Sequence, residues 1–284
     1  MKRIITLGLL VCGTISAMAQ TDSTKNEKPD TIRIGGITIV KKAGSKERQI
    51  IHDREYKMAS RKKGDNSNIS TNWWIFDMGW SNYTDNTNYT SAAAQAYAPG
   101  ANSSWLETKS GRSRNVNVWF FMQRLNVTKH ILNLKYGLGL ELNNYFYKQP
   151  IRYNANPPAV ANPAVISYDV TAGRSYDKNK LAADYLTVPV MLNLNFTPRR
   201  HNGFGLSGGI SLGYLYASRN KTVTSDEGKK KSKDDFDLEK WKLSYVGEIS
   251  LGPVRFYGSY AMKNMYSRGL DITPYNFGFR LSNW

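Results

Sequence analysis

The chain has one cysteine and no long hydrophobic run. Because Cys12 is the only cysteine, an internal disulfide and a multi-cysteine metal site are both excluded. No apolar run reaches the ~18 residues that a membrane-spanning helix needs, which excludes a helical membrane protein. Acidic residues are also few, 22 against 39 Lys and Arg, so the formal net charge is +17 over 284 residues.

Aromatic residues and glycine are abundant instead. The chain contains 18 Tyr, 10 Phe, 7 Trp and 23 Gly. This content is too aromatic for an intrinsically disordered chain. A tyrosine-rich, cysteine-poor sequence with regularly placed glycines indicates an all-β protein.

The first 19 residues have the pattern of a secretory signal peptide. Lys2 and Arg3 precede an apolar run, and Ala17-Met18-Ala19 provides a small-x-small cleavage signal. A buried N-terminal helix and a lipoprotein signal at Cys12 are the alternatives, and Val11 before that cysteine disfavours the second. We expect a mature chain that begins near Gln20 and contains no cysteine.

Residues 20–70 differ in composition from the rest, and we interpret them as a periplasmic leader and linker. Residues 21–28 are polar and predict a flexible start. Residues 32–40 alternate around Gly35 and Gly36, which predicts a short β-hairpin. Residues 41–66 are rich in charge and predict a solvated linker.

From Trp73 onward the sequence alternates between apolar and polar residues with period two, which predicts β-strands. Eight such segments can be counted, and in the last six no position of the apolar parity is charged. The segments, bounded by the first and last residues of their apolar parity, are Trp74–Trp80, Val116–Met122, Leu132–Leu142, Leu186–Phe196, Phe204–Tyr214, Trp241–Leu251, Val254–Met262 and Tyr275–Leu281.

Alternation alone fits either a soluble β-sandwich or an outer-membrane barrel, and three features favour the barrel. Short and long connections alternate strictly, the third segment is longer than soluble strands usually are, and aromatic residues gather near segment ends. The short links fall near 127–130, 197–203 and 252–253, and the longer ones near 83–115, 148–184, 217–240 and 264–274. We therefore predict an all-β fold, an eight-stranded antiparallel up-and-down transmembrane β-barrel over residues 71–284, in the outer membrane of a Gram-negative bacterium.

Charged residues on the polar parity are the candidate site of this barrel. In an interior only wide enough for side chains they must pair with one another, and we expect a polar network that plugs the lumen. A path for an ion or a small polar ligand is the alternative. The expected lumen residues are Asp77, Lys135, Glu141, Lys242, Glu248, Arg255, Lys263 and Arg280.

Two residues conflict with a regular closed ladder. Pro189 lies inside a predicted strand and cannot donate a ladder hydrogen bond, so we expect a bulge or one missing bond there. Trp284 falls on the polar parity of the last strand. It lies past the ladder or is displaced by a bulge.

Three short motifs resemble the PorT-like outer-membrane β-barrel family. Residues 184–192 (DYLTVPVML) are similar to its Leu-x-Val/Ile-Pro-Val/Leu core strand, and residues 275–281 are similar to its closing strand. Residues 30–39 look like the periplasmic leader of some members. The resemblance implies an outer-membrane barrel over about residues 72–284. It also makes a role as accessory to a protein-secretion machine a hypothesis, since the member that gives the family its name has that role.

The sequence offers no catalytic constellation. His52, His130 and His201 are not spaced as metal ligands, and none has a local serine partner. We expect a non-enzymatic protein without cofactor, with a structural or binding role through its extracellular loops. A secretion accessory that docks through residues 20–70, and an outer-membrane lipid-modifying enzyme, are the alternatives.

The basic charge predicts contact with outer-membrane lipid, including the phosphates of lipopolysaccharide, rather than with nucleic acid. Lys229-Lys230-Lys231 lies beside acidic residues, and no RNA-binding motif is present. Long extracellular loops or the leader would contact a protein partner, because loops on a rigid scaffold commonly carry binding.

Overall fold

A computed structural model describes residues 30–34, 37–41, 48–52, 67–155, 162–198 and 203–281. In the first three ranges only the backbone is described. The chain divides into two units, residues 1–66 and residues 67–284. The predicted signal peptide lies outside the described residues.

The described strands of the first unit form a three-stranded antiparallel sheet. They are β1 (Asp30–Ile34), β2 (Ile37–Lys41) and β3 (Arg48–His52), in the order β1-β2-β3. The first two pair as the hairpin that the sequence predicted, with Ile34 opposite Ile37. The third strand corrects the interpretation of residues 41–66 as a linker. Ile50 and Ile51 are β-branched residues that suit a strand, and they lie opposite Ile39 and Thr38.

The second unit is built from long strands, and every alternating segment of the sequence becomes one of them. These strands are β4 (Ile69–Asp85), β5 (Arg114–Thr128), β6 (Leu132–Phe146), β9 (Tyr176–Asn195), β10 (Phe204–Thr224), β12 (Trp241–Leu251), β13 (Val254–Ala261) and β14 (Ile272–Leu281). Shorter elements lie in the long connections: helix α1 (Ala92–Tyr97) and strands β7 (Ile151–Tyr153), β8 (Ile166–Tyr168) and β11 (Gly228–Lys233).

All pairings in the large sheet are antiparallel. The strand order is β11-β10-β12-β13-β14-β4-β5-β6-β9, and β10 also pairs with β9. The pairings that begin at β10 therefore pass through β12, β13, β14, β4, β5, β6 and β9 and return to β10. Each long strand thus has a hydrogen-bonded neighbour on both sides.

The two faces of the large sheet differ sharply, and the apolar face is the exposed one. On this outer face Met78 is 60% exposed and Leu192 is 57% exposed. On the opposite, inner face Asp77 is fully buried and Glu248 is 2% exposed. This is the reverse of a soluble sandwich, in which the apolar parity would be buried and the charges would face water. A core of packed leucines and valines between two sheets is therefore excluded.

Pro189 interrupts one ladder without changing its register. It lies opposite Ser211 of β10, but the pairing of β9 with β6 stops between Val190–Tyr136 and Thr187–Gly139. Because proline has no N–H to donate, a break at this point is expected. Of the two alternatives in the sequence prediction, the structure shows the missing pairing and not a bulge.

The long connections are not freely exposed loops, which corrects the interpretation from sequence. Their apolar residues pack with residues of the long strands into one buried core at one end of the large sheet, and we call this region the outer cap. The core includes Tyr97, Leu106, Tyr147, Tyr153, Ile166, Leu181, Phe236, Leu238, Tyr266 and Leu270. The isolated aromatic residues of long loops gave no periodic signal, so their common burial could not be read from the sequence.

Candidate functional site

Seven of the eight charged residues predicted for the lumen lie buried on the inner face. They alternate with outward apolar residues on five of the long strands, as period two requires. These residues are Asp77, Lys135, Glu141, Lys242, Glu248, Arg255 and Arg280, each between 0% and 8% exposed.

Lys263 is not among them, and the prediction for this residue is corrected. Strand β13 ends at Ala261, so Lys263 lies in the following connection and its side chain is exposed. The alternation of the sequence continues past the point at which pairing stops. Hydrogen-bonded pairing with neighbouring strands, and not the period of the sequence, decides where a strand ends.

Arg280 forms the centre of the buried network. Its Nε and Nη2 donate to the two carboxylate oxygens of Asp77 at 2.7 and 2.8 Å, while Nη1 donates to Glu248 Oε2 at 2.5 Å. The second oxygen of Glu248 accepts from Lys135 Nζ at 2.8 Å. Two acids and two bases from β4, β6, β12 and β14 are thus joined in one line, and the bidentate geometry with Asp77 gives the strongest type of ion pair.

A second buried group surrounds Glu141. Lys242 Nζ donates to its Oε1, and the amides of Asn143 and Asn276 donate to the same oxygen at 3.1 and 2.9 Å. Ser81 then donates to Asn276 Oδ1 at 2.7 Å. The carboxylate is therefore surrounded by donors, as a buried charge requires.

Sequence reasoning did not identify the neutral partners of these charges. Trp119 Nε1 donates to Asp77 at 2.7 Å and Asn117 Nδ2 donates to the same carboxylate at 3.1 Å. Asn115 accepts from Tyr257 at 2.5 Å and donates to Asn143 at 2.9 Å. All of them lie on the polar parity, so a search for inward-facing asparagine, tyrosine and tryptophan could have found them.

The inner face is close to electrical balance. Its three acids and four bases leave one excess positive charge. Buried ions lose hydration, and partners compensate for that loss only when the geometry is good. A small cavity remains beside Trp119, Glu141, Thr187, Pro189 and Arg280.

His130 is the one histidine whose side chain is described, and it lies in no cluster of candidate ligands. His130 lies in the short turn between β5 and β6, with its backbone N–H bonded to Asn126. Only the backbone of His52 is described, and His201 lies outside the described residues, as does Trp284. Within the described part of the chain no group of three His, Cys, Asp or Glu side chains could hold a metal. No helix of that part is long and apolar enough to cross a membrane.

A second polar cluster lies at the tip of the outer cap. Arg174 bridges Asp169 at 2.8 Å and Asp226 at 2.6 Å, and Arg152 bridges Asp169 at 3.0 Å and Glu227 at 2.6 Å. The hydrogen bonds from Arg174 lower the pKa of Asp226 to about 2. Burial acts to raise the pKa of Asp169, but hydrogen bonds from Thr171, Tyr176 and Arg174 outweigh it and the pKa is lowered.

The family of the chain follows from comparison of its sequence with family models. The model of the outer membrane protein beta-barrel domain matches residues 82–270, about two thirds of the chain. The chain belongs to this family. It is therefore an outer-membrane barrel protein, in agreement with the antiparallel sheet and its exposed apolar face. No curated protein matches the sequence.

Proposed function

We propose that this outer-membrane barrel protein is a closed, non-enzymatic barrel of eight strands that does not conduct ions and that acts through its outer cap. The observation that carries the proposal is the arrangement of the two faces. Apolar side chains are exposed around the large sheet, while ion-paired side chains fill its inner face. Such a molecule is stable in lipid and would aggregate in water.

The pairing between β9 and β10 supports closure. In a bilayer each backbone N–H and C=O needs a partner within the protein, which an open sheet edge cannot supply. The circuit of pairings is interrupted at Pro189 and at Trp74, and the β5–β6 and β9–β10 ladders each contain two register shifts. On β9 the outward apolar residues from Leu186 to Phe196 cover about 23 Å of depth at a ~45° tilt, close to the apolar band of known barrels.

Heat-dependent gel mobility tests the barrel. After extraction in detergent, the unheated protein should migrate faster than the boiled protein, because a closed barrel resists unfolding by SDS. A mature chain that is extracted without detergent and migrates identically with and without boiling would contradict the proposal.

Planar-bilayer recording tests the closed lumen. Arg280, Glu248 and Lys135 join opposite parts of the inner face, and the cavity beside them is small. The purified protein should give no stable conductance steps in a lipid bilayer. A stable open channel would show that the network lines a path and would favour the ion-path alternative.

The outer cap is the proposed interaction surface. Its core fixes the long connections in one arrangement, and the ion pairs of Arg152 and Arg174 fix its tip. An ordered surface binds with less loss of conformational entropy than mobile loops do.

The absence of enzymatic activity is part of the proposal, and expression of the protein should leave the mass of lipid A unchanged.

A role as accessory of a secretion machine is the second candidate. The three-stranded sheet of β1, β2 and β3 favours it, because a separately folded leader is suited to docking a partner. Pull-downs with the mature chain and with a chain that lacks residues 20–66 should be compared. Loss of the same partner on deletion would favour this candidate, while partners that persist would favour the outer cap.

A further inference from the structure

Seven cations lie on one side of the sheet that β9, β10 and β11 form beyond the exposed apolar residues of the outer face. We call this surface the cationic face. It consists of Lys178, Lys180, Arg219, Lys221, Lys229, Lys231 and Lys233. The register places Lys180 opposite Lys221, Lys221 opposite Lys231, and Arg219 opposite Lys233. Cross-strand partners share a face, so these side chains form a grid on one side.

This side is the continuation of the outer, lipid-facing surface. On β9 the same parity runs back along the chain from Val188 and Leu186, past the buried Asp184 and Ala182, to Lys180 and Lys178. The opposite parity of the same strands, including Leu181 and Thr222, is buried against the outer cap. The cations therefore point outward, away from the protein.

The height of the cationic face corresponds to lipid headgroups. Tyr214 and Trp241 pack edge to face, with ring centroids 4.9 Å apart, where the apolar surface ends, which is the position of an interfacial aromatic girdle. The row of Arg219 lies about 9 Å beyond Leu186 along the barrel axis, from ~3.3 Å per residue and a ~45° tilt. Lysine side chains can also extend back toward the bilayer surface.

The fold explains Arg219, which pairs with Asp184, and Lys180, which donates to Asn144, but not the other five cations of the grid. Like charges opposite one another destabilise a sheet. Burial lowers the pKa of Lys221, and the neighbouring Lys229, Lys178 and Lys231 lower it further. Lysines on an edge strand prevent sheet-to-sheet aggregation, which accounts for β11. Edge protection does not account for Arg219 and Lys221, because β10 is paired with β9 on one side and with β11 on the other.

Acidic neighbours do not neutralise the grid either. Asp184 lies on the outward parity and pairs with Arg219 at 2.9 Å, and the exposed Asp177 is the extra residue at a register shift beside Lys178. Lys178, Lys221, Lys229, Lys231 and Lys233 have no ion-pair partner among the described residues. Functional sites are where a protein places like charges opposite one another in this way, because a ligand supplies the compensating interaction.

We propose that the cationic face binds the phosphate groups of lipopolysaccharide in the outer leaflet. Phosphates are the anions at this height of the membrane, and lysine ammonium groups bind them as point charges. Strand spacing puts neighbouring cations about 5 Å apart across the sheet, so that two or three can contact one phosphate. The inference rests on the proposed barrel, since it needs the outward parity to face lipid.

Binding of fluorescent lipopolysaccharide to the full mature protein in zwitterionic detergent tests this inference. The test variant is Lys178→Gln/Lys221→Gln/Lys231→Gln, which removes three cations that hold no acidic partner. The matched control is Lys129→Gln/Lys148→Gln/Lys263→Gln, which removes three exposed cations elsewhere. At about fivefold per cation, the test variant should bind about 100-fold more weakly and the control should bind as the unaltered protein does.

Two further probes identify the source of the phosphate. Phosphatase-treated lipopolysaccharide should bind weakly to the unaltered protein and to both variants. Nanodiscs of phosphatidylglycerol should bind the test and control variants with similar affinity. Equal binding of treated and untreated lipopolysaccharide, or equal affinities of the two variants, would overturn the inference. The inference would also be overturned if the affinity difference between the test and control variants were larger for an acidic protein or for phosphatidylglycerol than for lipopolysaccharide.

Gel mobility separates this inference from the barrel on which it rests. If both variants show the heat-dependent shift and the test variant still binds fully, the inference fails and the barrel stands. If the unaltered protein shows no shift, the barrel itself fails.

Discussion

Lys135 and Lys263 have the same chemistry in opposite environments. Lys135 is 3% exposed and bonded to Glu248, while Lys263 is exposed beyond the end of β13. Removal of one partner from a buried ion pair leaves an uncompensated charge. The pair of lysines therefore provides a matched test of the buried network.

Lys135→Met should lower the free energy of unfolding by about 3 kcal/mol, at the lower end for a broken buried pair because Arg280 still neutralises Glu248. Lys263→Met should change it by less than about 0.5 kcal/mol. Urea unfolding in lipid vesicles, followed by tryptophan fluorescence, measures both. Equal effects of the two substitutions would show that burial does not distinguish them.

Gly79 is required by a close approach between strands. It lies opposite Gly278, and a Cβ at Gly79 would be 2.1 Å from the Phe277 carbonyl oxygen and 2.7 Å from Gly278 Cα. Backbone atoms cannot move aside as a flexible side chain can. The small residue therefore permits the pairing of β14 with β4.

Gly79→Ala should destabilise the protein by about 1–3 kcal/mol, the usual range for overpacking. Gly247→Ala is the control, because the nearest atom to its Cβ would be 3.8 Å away. The same unfolding assay applies. A Gly79→Ala variant as stable as the Gly247→Ala variant would contradict the close approach.

At the scale of elements, the long strands follow from periodicity but the short ones do not. Strand β11 (Gly228–Lys233) contains four lysines and no apolar residue, so no alternation marks it. It forms because β10 extends past the apolar belt and offers a free ladder. Strand β8, by contrast, lies within residues 165–170, where the alternating sequence could suggest it.

The tip of the outer cap depends on ionised carboxylates. The pKa of Asp226 falls from 3.8 to about 2 through its bonds with Arg174. A carboxylate with a lowered pKa stabilises the fold above its unfolded pKa, and the contribution is lost as the pH falls through the folded value. The tip should therefore be ordered above about pH 4 and should loosen toward pH 2.

Spin labels at Ala172→Cys and Lys229→Cys would report this change, since the mature chain is expected to contain no other cysteine. The distance distribution should be narrow at pH 7 and should broaden between pH 4 and pH 2. Asp226→Asn should give the broad distribution already at pH 7. A narrow distribution at pH 2 would show that the ion pairs do not hold the tip.

At the scale of the whole molecule, the described residues form three sheets: the large sheet, the pair β7 and β8, and the sheet of β1, β2 and β3. The large sheet lies wholly within residues 67–284, and β1, β2 and β3 lie within residues 1–66. A barrel is stabilised by its own ladder and by the surrounding lipid. The second unit should therefore fold without the first.

A chain of residues 67–284 should insert into lipid vesicles and should show the same heat-dependent gel shift as the mature protein. The temperature at which the fast band disappears should agree between the two chains within a few degrees. A truncated chain that does not show the fast band would mean that the leader is needed for folding.

The sequence by itself determined the eight long strands of the large sheet, the two parities and the short turns, because each depends on residues that are near neighbours along the chain. It also predicted eight buried charges, of which seven are buried, since alternation assigns each residue to a face. Only the tertiary structure decided which charges meet. Arg280 contacts Asp77 from 203 positions away, and register across several strands sets that distance. The outer cap and the cationic face arise in the same way, because burial and charge density there come from segments that only the folded sheet brings together.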